Sequence, residues 1–493
     1  MPEHIRALII ILFLSFLVFT YIRKTRYLGI ETVDFRNNSR IFYLISLSAF
    51  LSHNYWIHIL LASLIVLIKV ARDDNRLPLF MLLLFALPTE KVEIPGLGII
   101  NYLVHINHQQ WLMIILFIPL ILKQSVAHSD NRGRLTITDG LLLSYVALTI
   151  LLSFREGSIT ESLRFAYYQT LNILLPYYVF SRFITNLKHF RDTLFYFTVA
   201  CLILALIGFF EFAKHWHLYA ELKNVLGLED KFAYLTRDNL LRATASLDRI
   251  PLGYVMAIAL GFYLVIQHGI KSRFYQRIGW GILFLGLLAP ISRGPWVGAL
   301  IIFITYLLTG KKPVQKTFLL VIGLTAFLSV ASFLPYGDRV VQLIPFVGST
   351  DEQNIDYRQR LIENSMIVIQ DNLLLGSTDY LETEEMQELR QGQGIIDIVN
   401  TYIRVALEYG VIGLFLFAGV FITTFVRLLK KLKSIQDKES EEYRLGRALT
   451  AVLVGVIAMI GTVSSVSVIP LMYWIVAAMA NNYINNNEKP DET

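Results

Sequence analysis

Side chains able to handle a phosphorylated substrate occur at a few places in this chain. Arg293 stands in Ile291-Ser292-Arg293-Gly294-Pro295-Trp296, between the apolar runs 281–289 and 297–308. Pro290, Gly294 and Pro295 break the helix there, so a guanidinium is expected on a tight turn. It either snorkels from a connector or answers an anionic partner. Tyr357-Arg358-Gln359-Arg360 opens a helically periodic stretch, 361–369. Arg358 and Arg360 suit bidentate phosphate binding, or ion pairs with Asp356 and Glu363. Asp397, Asn400, Arg404 and Glu408 recur at offsets of three and four, which would align them on one helix face running from near Asp397 to about Phe425. At 1.5 Å per residue Glu408 would lie roughly 16 Å beyond Asp397. A charged pair at that depth marks a bundle interior or a functional cavity. The structural alternatives are that Asp397 or Asn400 caps the helix and that Arg404 pairs with Glu408. Arg155, Arg164, Arg237, Arg242 and Arg249 add positive charge. Arg242, in Leu241-Arg242-Ala243-Thr244, is the preferred binding member, and several of the others are expected to be solvated or paired with Asp238 and Asp248.

Other chemistry has little support. His215-Trp216-His217 splits its imidazoles across a helix with nothing nearby to complete a metal site. Cys201 is the one cysteine, so no disulfide forms within the chain and no cysteine-based metal site exists. Phosphate-cradling glycine loops, His-Glu-x-x-His and Gly-x-Ser-x-Gly are absent from the sequence. No metal and no cofactor is expected. Gly410 and Gly413 are expected to let helices approach closely.

The elements that must carry these residues are helices in a bilayer. Of 493 residues 55% are hydrophobic and 17% charged, against about 45–50% and about 25% in soluble domains. Stretches such as 7–20, 193–210, 297–308 and 402–425 are nearly free of charge. About 20 apolar residues in a helix cross a hydrocarbon core, and strand-type alternation is missing. The expected fold is an all-α polytopic membrane protein with roughly 13 to 15 crossings. The N-terminal apolar segment runs into Arg23-Lys24 without a small-residue cleavage site and reads as an uncleaved first helix. Although the formal charge is +6, Lys and Arg collect in short loops, which argues against a nucleic-acid groove.

Loops rich in Lys and Arg should be cytoplasmic: 23–40, 69–76, 123–134, 182–191, 271–277, 310–316 and 427–447. Between them 91–110, 154–164, 213–249, the turn at Arg293, 335–400 and 463–469 should face the other side. The loop 335–400 contains no lysine and a dozen acids. At about 65 residues it far exceeds an ordinary connection. Its apolar patch at 340–346 and periodic stretch 361–369 predict a folded extracytoplasmic cap with short helices. The expected organisation is a helix bundle over 1–334, this cap over 335–400, further membrane helices over 401–483 and a polar cytoplasmic tail, 484–493.

These residues carry a resemblance. The Ser292-Arg293-Gly294 segment resembles a signature of the O-antigen polymerase and O-antigen ligase superfamily. Arg358 followed by Asp371-Asn372-Leu373-Leu374-Leu375-Gly376 is similar to the family's Arg and Asp-x-Pro-Leu-x-Gly, with Leu373 in place of the proline. Asn400-Thr401-Tyr402-Ile403 and Leu407-Glu408-Tyr409-Gly410-Val411-Ile412-Gly413 resemble its His-Asn-x-Tyr-Leu and Glu-x-Gly-x-x-Gly pattern. The likeness runs in order from about Arg242 to Phe425. Val399 stands where the family has a histidine, a proposed base in the ligases, and valine takes no proton. Ile395-Ile396-Asp397-Ile398-Val399-Asn400 and Leu175-Pro176-Tyr177-Tyr178 look more like the exopolysaccharide-polymerase branch.

The resemblance implies inverting, metal-independent glycosyl transfer between polyprenyl-diphosphate-linked oligosaccharides at the extracytoplasmic face of a bacterial inner membrane. Arg293, Arg358, Arg360, Arg242 and Arg404 would steady the departing lipid diphosphate. Asp397, Glu408 and Asn400 would form the catalytic set. A flippase and a chain-length regulator would be partners, with the lipid bilayer as the medium and no role for nucleic acid. The rivals are a ligase of the same chemistry, and a secondary transporter or lipid-linked glycan flippase. The latter predicts internal symmetry, short loops and helices broken at the midplane.

Overall fold

The computed structural model describes residues 1–27, 31–70, 76–96, 98, 101–125, 135–155, 158–228, 234–237, 239–318, 320, 322–323, 352–391 and 394–486. Arg339, Asp351 and the apolar patch 340–346 of the expected cap lie outside them, as do Asp238, most of the expected loop 123–134 and the end of the expected tail. The protein is an all-α polytopic membrane protein. Among the described residues, the helices α1 (Glu3–Thr25), α9 (Leu187–Lys214), α11 (Arg249–Ile266, continued by a 3-10 turn to Gly269), α16 (Thr401–Ser434) and α17 (Glu441–Ile460) are long and apolar enough to cross a bilayer. Shorter apolar helices accompany them: α3 (Tyr55–Val70), α5 (His108–Ser125), α6 (Ile137–Ser153) and α13 (Arg293–Leu308).

The chain forms two compact units. The first comprises Met1–Gly133, Leu171–Ser292 and Ser467–Thr493. At its centre α9 is apolar on nearly every side, as expected of a helix surrounded by others. It packs against α1, α4 (Arg76–Leu83), α11 and α12 (Arg273–Leu288). A Cβ on Gly286 of α12 would come 2.8 Å from the Ala205 backbone, so those two helices touch main chain to main chain. The two short hairpins, β1–β2 (Val92–Pro95, Tyr102–Ile106) and β3–β4 (Thr236–Arg237, Leu240–Leu241), also belong here.

The second unit comprises Arg134–Thr170 and Arg293–Val466. Here α13 packs on α17, and α16 packs on α6 and α17. Against the start of α16 lies the cap: α14 (Glu352–Asp371), α15 (Glu384–Gln387) and the loops beside them. Leu361, Val368, Met386 and Leu389 close over Ala406 and Leu407 of α16 as one buried cluster. The stretch read as helical at 361–369 is thus the second half of α14.

The helix expected from Asp397 begins instead at Thr401. Asn400 has extended backbone, and its Oδ1 accepts from the Tyr402 and Ile403 N–H groups at 2.9 and 3.2 Å. A cap satisfied in this way starts the helix there and leaves Asp397 in the preceding extended segment. The expected shared face of Asp397 and Glu408 is therefore not formed. α16 is also interrupted at Gly410 (φ 66°, ψ −169°), a conformation open essentially to glycine alone. Gly410 is a breaking glycine rather than the helix-packing one expected. The segment ending in Gly376 (φ 68°) lies against this break. Val411 N–H donates to Leu373 O at 2.8 Å, and Ser377 N–H to Leu407 O at 2.9 Å.

Candidate active site

In the second unit the polar residues gather on the turn 462–465, between α17 and the end of the unit. The Arg358 Nη2 of α14 donates to the Thr462 carbonyl at 3.3 Å. Arg293 opens α13, and a Cβ on the following Gly294 would stand 3.1 Å from Thr462 Oγ1 and from Val463 Cγ1. Thr401, the first residue of α16, shares a 2.7 Å hydrogen bond with Ser465 Oγ. Ser464 Oγ donates to Asp397 Oδ1 at 2.5 Å. One turn thus touches the N-terminal ends of α13 and α16, Arg358 and Asp397. Helix N-termini add their own positive potential to that of the arginines.

Asp397 is held by main chain as well as side chain. The Tyr357 hydroxyl donates to the Asp397 carbonyl at 2.9 Å and accepts its N–H at 3.0 Å. Burial pushes the Tyr357 phenol above its ordinary value, so it stays protonated as that donor. Among the described residues no hydrogen bond reaches Asp397 Oδ2, so this half-buried carboxylate keeps one oxygen for an incoming hydroxyl.

Glu408 lies two residues before the Gly410 break. Its Oε1 accepts from Arg404 Nε at 2.7 Å and from Tyr380 Oη at 3.1 Å. The pairing alternative for Arg404 and Glu408 is therefore realised, with Tyr380 of the cap as third member. Arg155, just beyond α6, donates to the carbonyls of Gly376 and Leu375 at 3.2 Å and of Glu408 at 3.5 Å. It holds together the segments that the break leaves open. Arg360 pairs with Asp356 at 3.0 Å on the exposed side of α14, apart from the turn.

Arg242 belongs to the first unit. Its Nε donates to the Pro290 carbonyl at 3.1 Å. Burial, with the Arg249 and Arg237 cations beside it, pushes its pKa down to about 9, so its charge is held at a cost that an anion would relieve. The loop carrying it is fastened by Glu211, wholly buried, whose carboxylate accepts from Leu218, Thr244 and Ala245 N–H groups at 3.0, 3.0 and 2.8 Å.

Sequence reading missed Tyr357, Tyr380, Ser464 and Glu211 as members of these networks. Tyr357 had a visible signal, since it precedes Arg358 directly; the others act from distant segments. Among the described residues no group of three His, Cys, Asp or Glu side chains is placed to hold a metal ion.

The arginine at the start of α13 and the capped start of α16 fall within a stretch that known proteins share, and the turn 462–465 lies beyond it. Residues 278–418 match the O-antigen ligase family. The match implies glycan transfer of the O-antigen ligase and polymerase type, in a membrane and from a lipid-linked glycan. It covers the Ser-Arg-Gly segment, Arg358, the Gly376 segment and the Gly410 break. None of the curated proteins compared with the chain matches it.

Proposed function

We propose that the protein is an inverting, metal-independent glycosyltransferase that polymerises polyprenyl-diphosphate-linked oligosaccharide repeat units into a surface polysaccharide. The active face is the extracytoplasmic side of a bacterial inner membrane. A sugar hydroxyl of one lipid-linked glycan attacks the anomeric carbon of another, and the lipid diphosphate leaves. Arg293, Arg358 and the N-terminal ends of α13 and α16 offset the charge that grows on the leaving group. Arg404 contributes further positive charge. Asp397 takes the acceptor proton through its open Oδ2, and Asn400 fixes the start of α16 beside it. Glu408, engaged by Arg404 and Tyr380, holds this end of α16 in position.

The observation that carries this reading is that Arg358, Gly294 next to Arg293, and Asp397 all meet the single turn 462–465. Cations and a carboxylate at one place fit diphosphate departure coupled to proton removal. The ligase reading shares these features and has the family description in its favour. Val399, at the position of the family histidine, packs against the buried cluster of the cap, where no base is presented. This favours the polymerase.

The test is reconstitution with a purified lipid-linked repeat unit, following chain length and released polyprenyl diphosphate. Long chains are expected from the native protein and none from Arg358→Ala or Arg293→Ala at equal expression. Unaltered chain lengths in both variants would remove the diphosphate role. Transfer of a single glycan to a different acceptor, without extension, would give the ligase.

A further inference from the structure

We propose that the cap is seated in the lipid bilayer, with one edge of α14 and the leucine loop after it embedded among acyl chains. An extracytoplasmic cap would ordinarily be covered by water, and α14 has charged residues such as Glu363 and Asp371 exposed. Yet its apolar arc is wider than its own core uses. Leu361, Ser365 and Val368 are buried, while Ile355, Ile362 (52% exposed) and Met366 (53%) form a strip beside them at helical spacing. Asp356, Glu363 and Gln370 occupy the next face round. Such a three-part helix is the form of an interfacial membrane helix.

What covers this strip is indicated by where it leads. After α14 the chain exposes Leu373, Leu374 and Leu375, Leu374 at 63%. The carbonyls of Leu373 and Leu374 accept from Val411 and Ile412 of α16 at 2.8 and 3.4 Å. The leucines therefore sit on a helix that crosses the bilayer, at its break. Val411, Ile412 and Phe415 (68% exposed) continue the apolar surface along α16. Leu151 and Phe154, just before the Arg155 that clasps this loop, are exposed too. The apolar edge of the cap is thus continuous with the lipid-facing side of α16. Three leucines at this level would be costly to leave in water and cost nothing in lipid.

This inference rests on the membrane-spanning nature of α16 and not on the proposed reaction. It is tested in the full-length protein in lipid nanodiscs, with the buried Cys201 replaced by alanine. Single cysteines at Ile362, Met366 and Leu374, with Glu363 and Gln370 as polar-face controls, carry a nitroxide label. Collision with oxygen, which concentrates in lipid, is compared with collision with a water-soluble nickel chelate. Oxygen should be favoured several-fold at positions 362, 366 and 374, and nickel at 363 and 370. Nickel access at all five positions would place the edge in water. Access of neither reagent at 362, 366 and 374 would mean a protein surface covers it. Either result overturns the proposal.

Discussion

Gly410→Ala probes the coupling between the α16 break and the cap more directly than any change to a charged residue. At φ 66° and ψ −169° an alanine carries backbone strain of about 1–3 kcal/mol. Its Cβ would also run into the Leu374 carbonyl and stand 2.5 Å from Leu375 N, main-chain atoms that cannot rotate away. The relief available is to separate the two segments. That loses the Val411–Leu373 and Ser377–Leu407 hydrogen bonds, at about 1 kcal/mol each. The expected destabilisation is about 3–5 kcal/mol. It falls two residues from Glu408, so chain extension should drop by about 100-fold through misplacement on the order of 1 Å. Gly419→Ala is the control: it lies in regular α16, and its Cβ would meet Leu141 Cδ1 at an ordinary 3.4 Å. Alanine there should be neutral or stabilising by about 0.5–1 kcal/mol. Thermal unfolding in detergent and the extension assay read both variants. If Gly410→Ala melts within a degree or so of Gly419→Ala and keeps its rate, the interlocked break is not what organises this end of the helix.

Tyr357→Phe removes both hydrogen bonds to the Asp397 main chain and should cost about 1–2 kcal/mol of stability with a larger loss of rate; equal activity would free Asp397 from this support. A double-mutant cycle on Arg404→Ala and Glu408→Ala should give a coupling near 1 kcal/mol, because Arg404 is 42% exposed while Glu408 is 20% exposed. Glu211→Ala strands three main-chain N–H groups in a wholly buried place and should lower stability by about 3–5 kcal/mol, read as a thermal shift. Pyrophosphate at about 100 times its dissociation constant should stabilise the native protein by about 2.7 kcal/mol, and Arg358→Ala should diminish that shift. No loss of the shift in the variant would count against Arg358 as an anion ligand.

Composition and segment length were enough to determine a helical membrane protein, because bilayer thickness sets the length of every apolar run and lipid forbids unpaired main chain. The Ser-Arg-Gly and Glu-x-Gly segments were likewise legible, and both fall within the matched stretch. The cap alternatives for Asn400 and the Arg404–Glu408 pair could be stated from spacing, since both are local to one helix turn. What spacing could not decide was where the helix stops being a helix. From Thr401 to Phe417 the residue types alone would continue one helix. Leu374, pressing its main chain against Gly410, imposes the break from a separate segment. Tyr357 and Ser464 reach Asp397 from 40 and 67 residues away along the chain, so its orientation appears in no local pattern. A sequence specifies turns and periods through neighbours a few bonds apart, whereas contacts between distant main-chain segments exist only once the chain has folded.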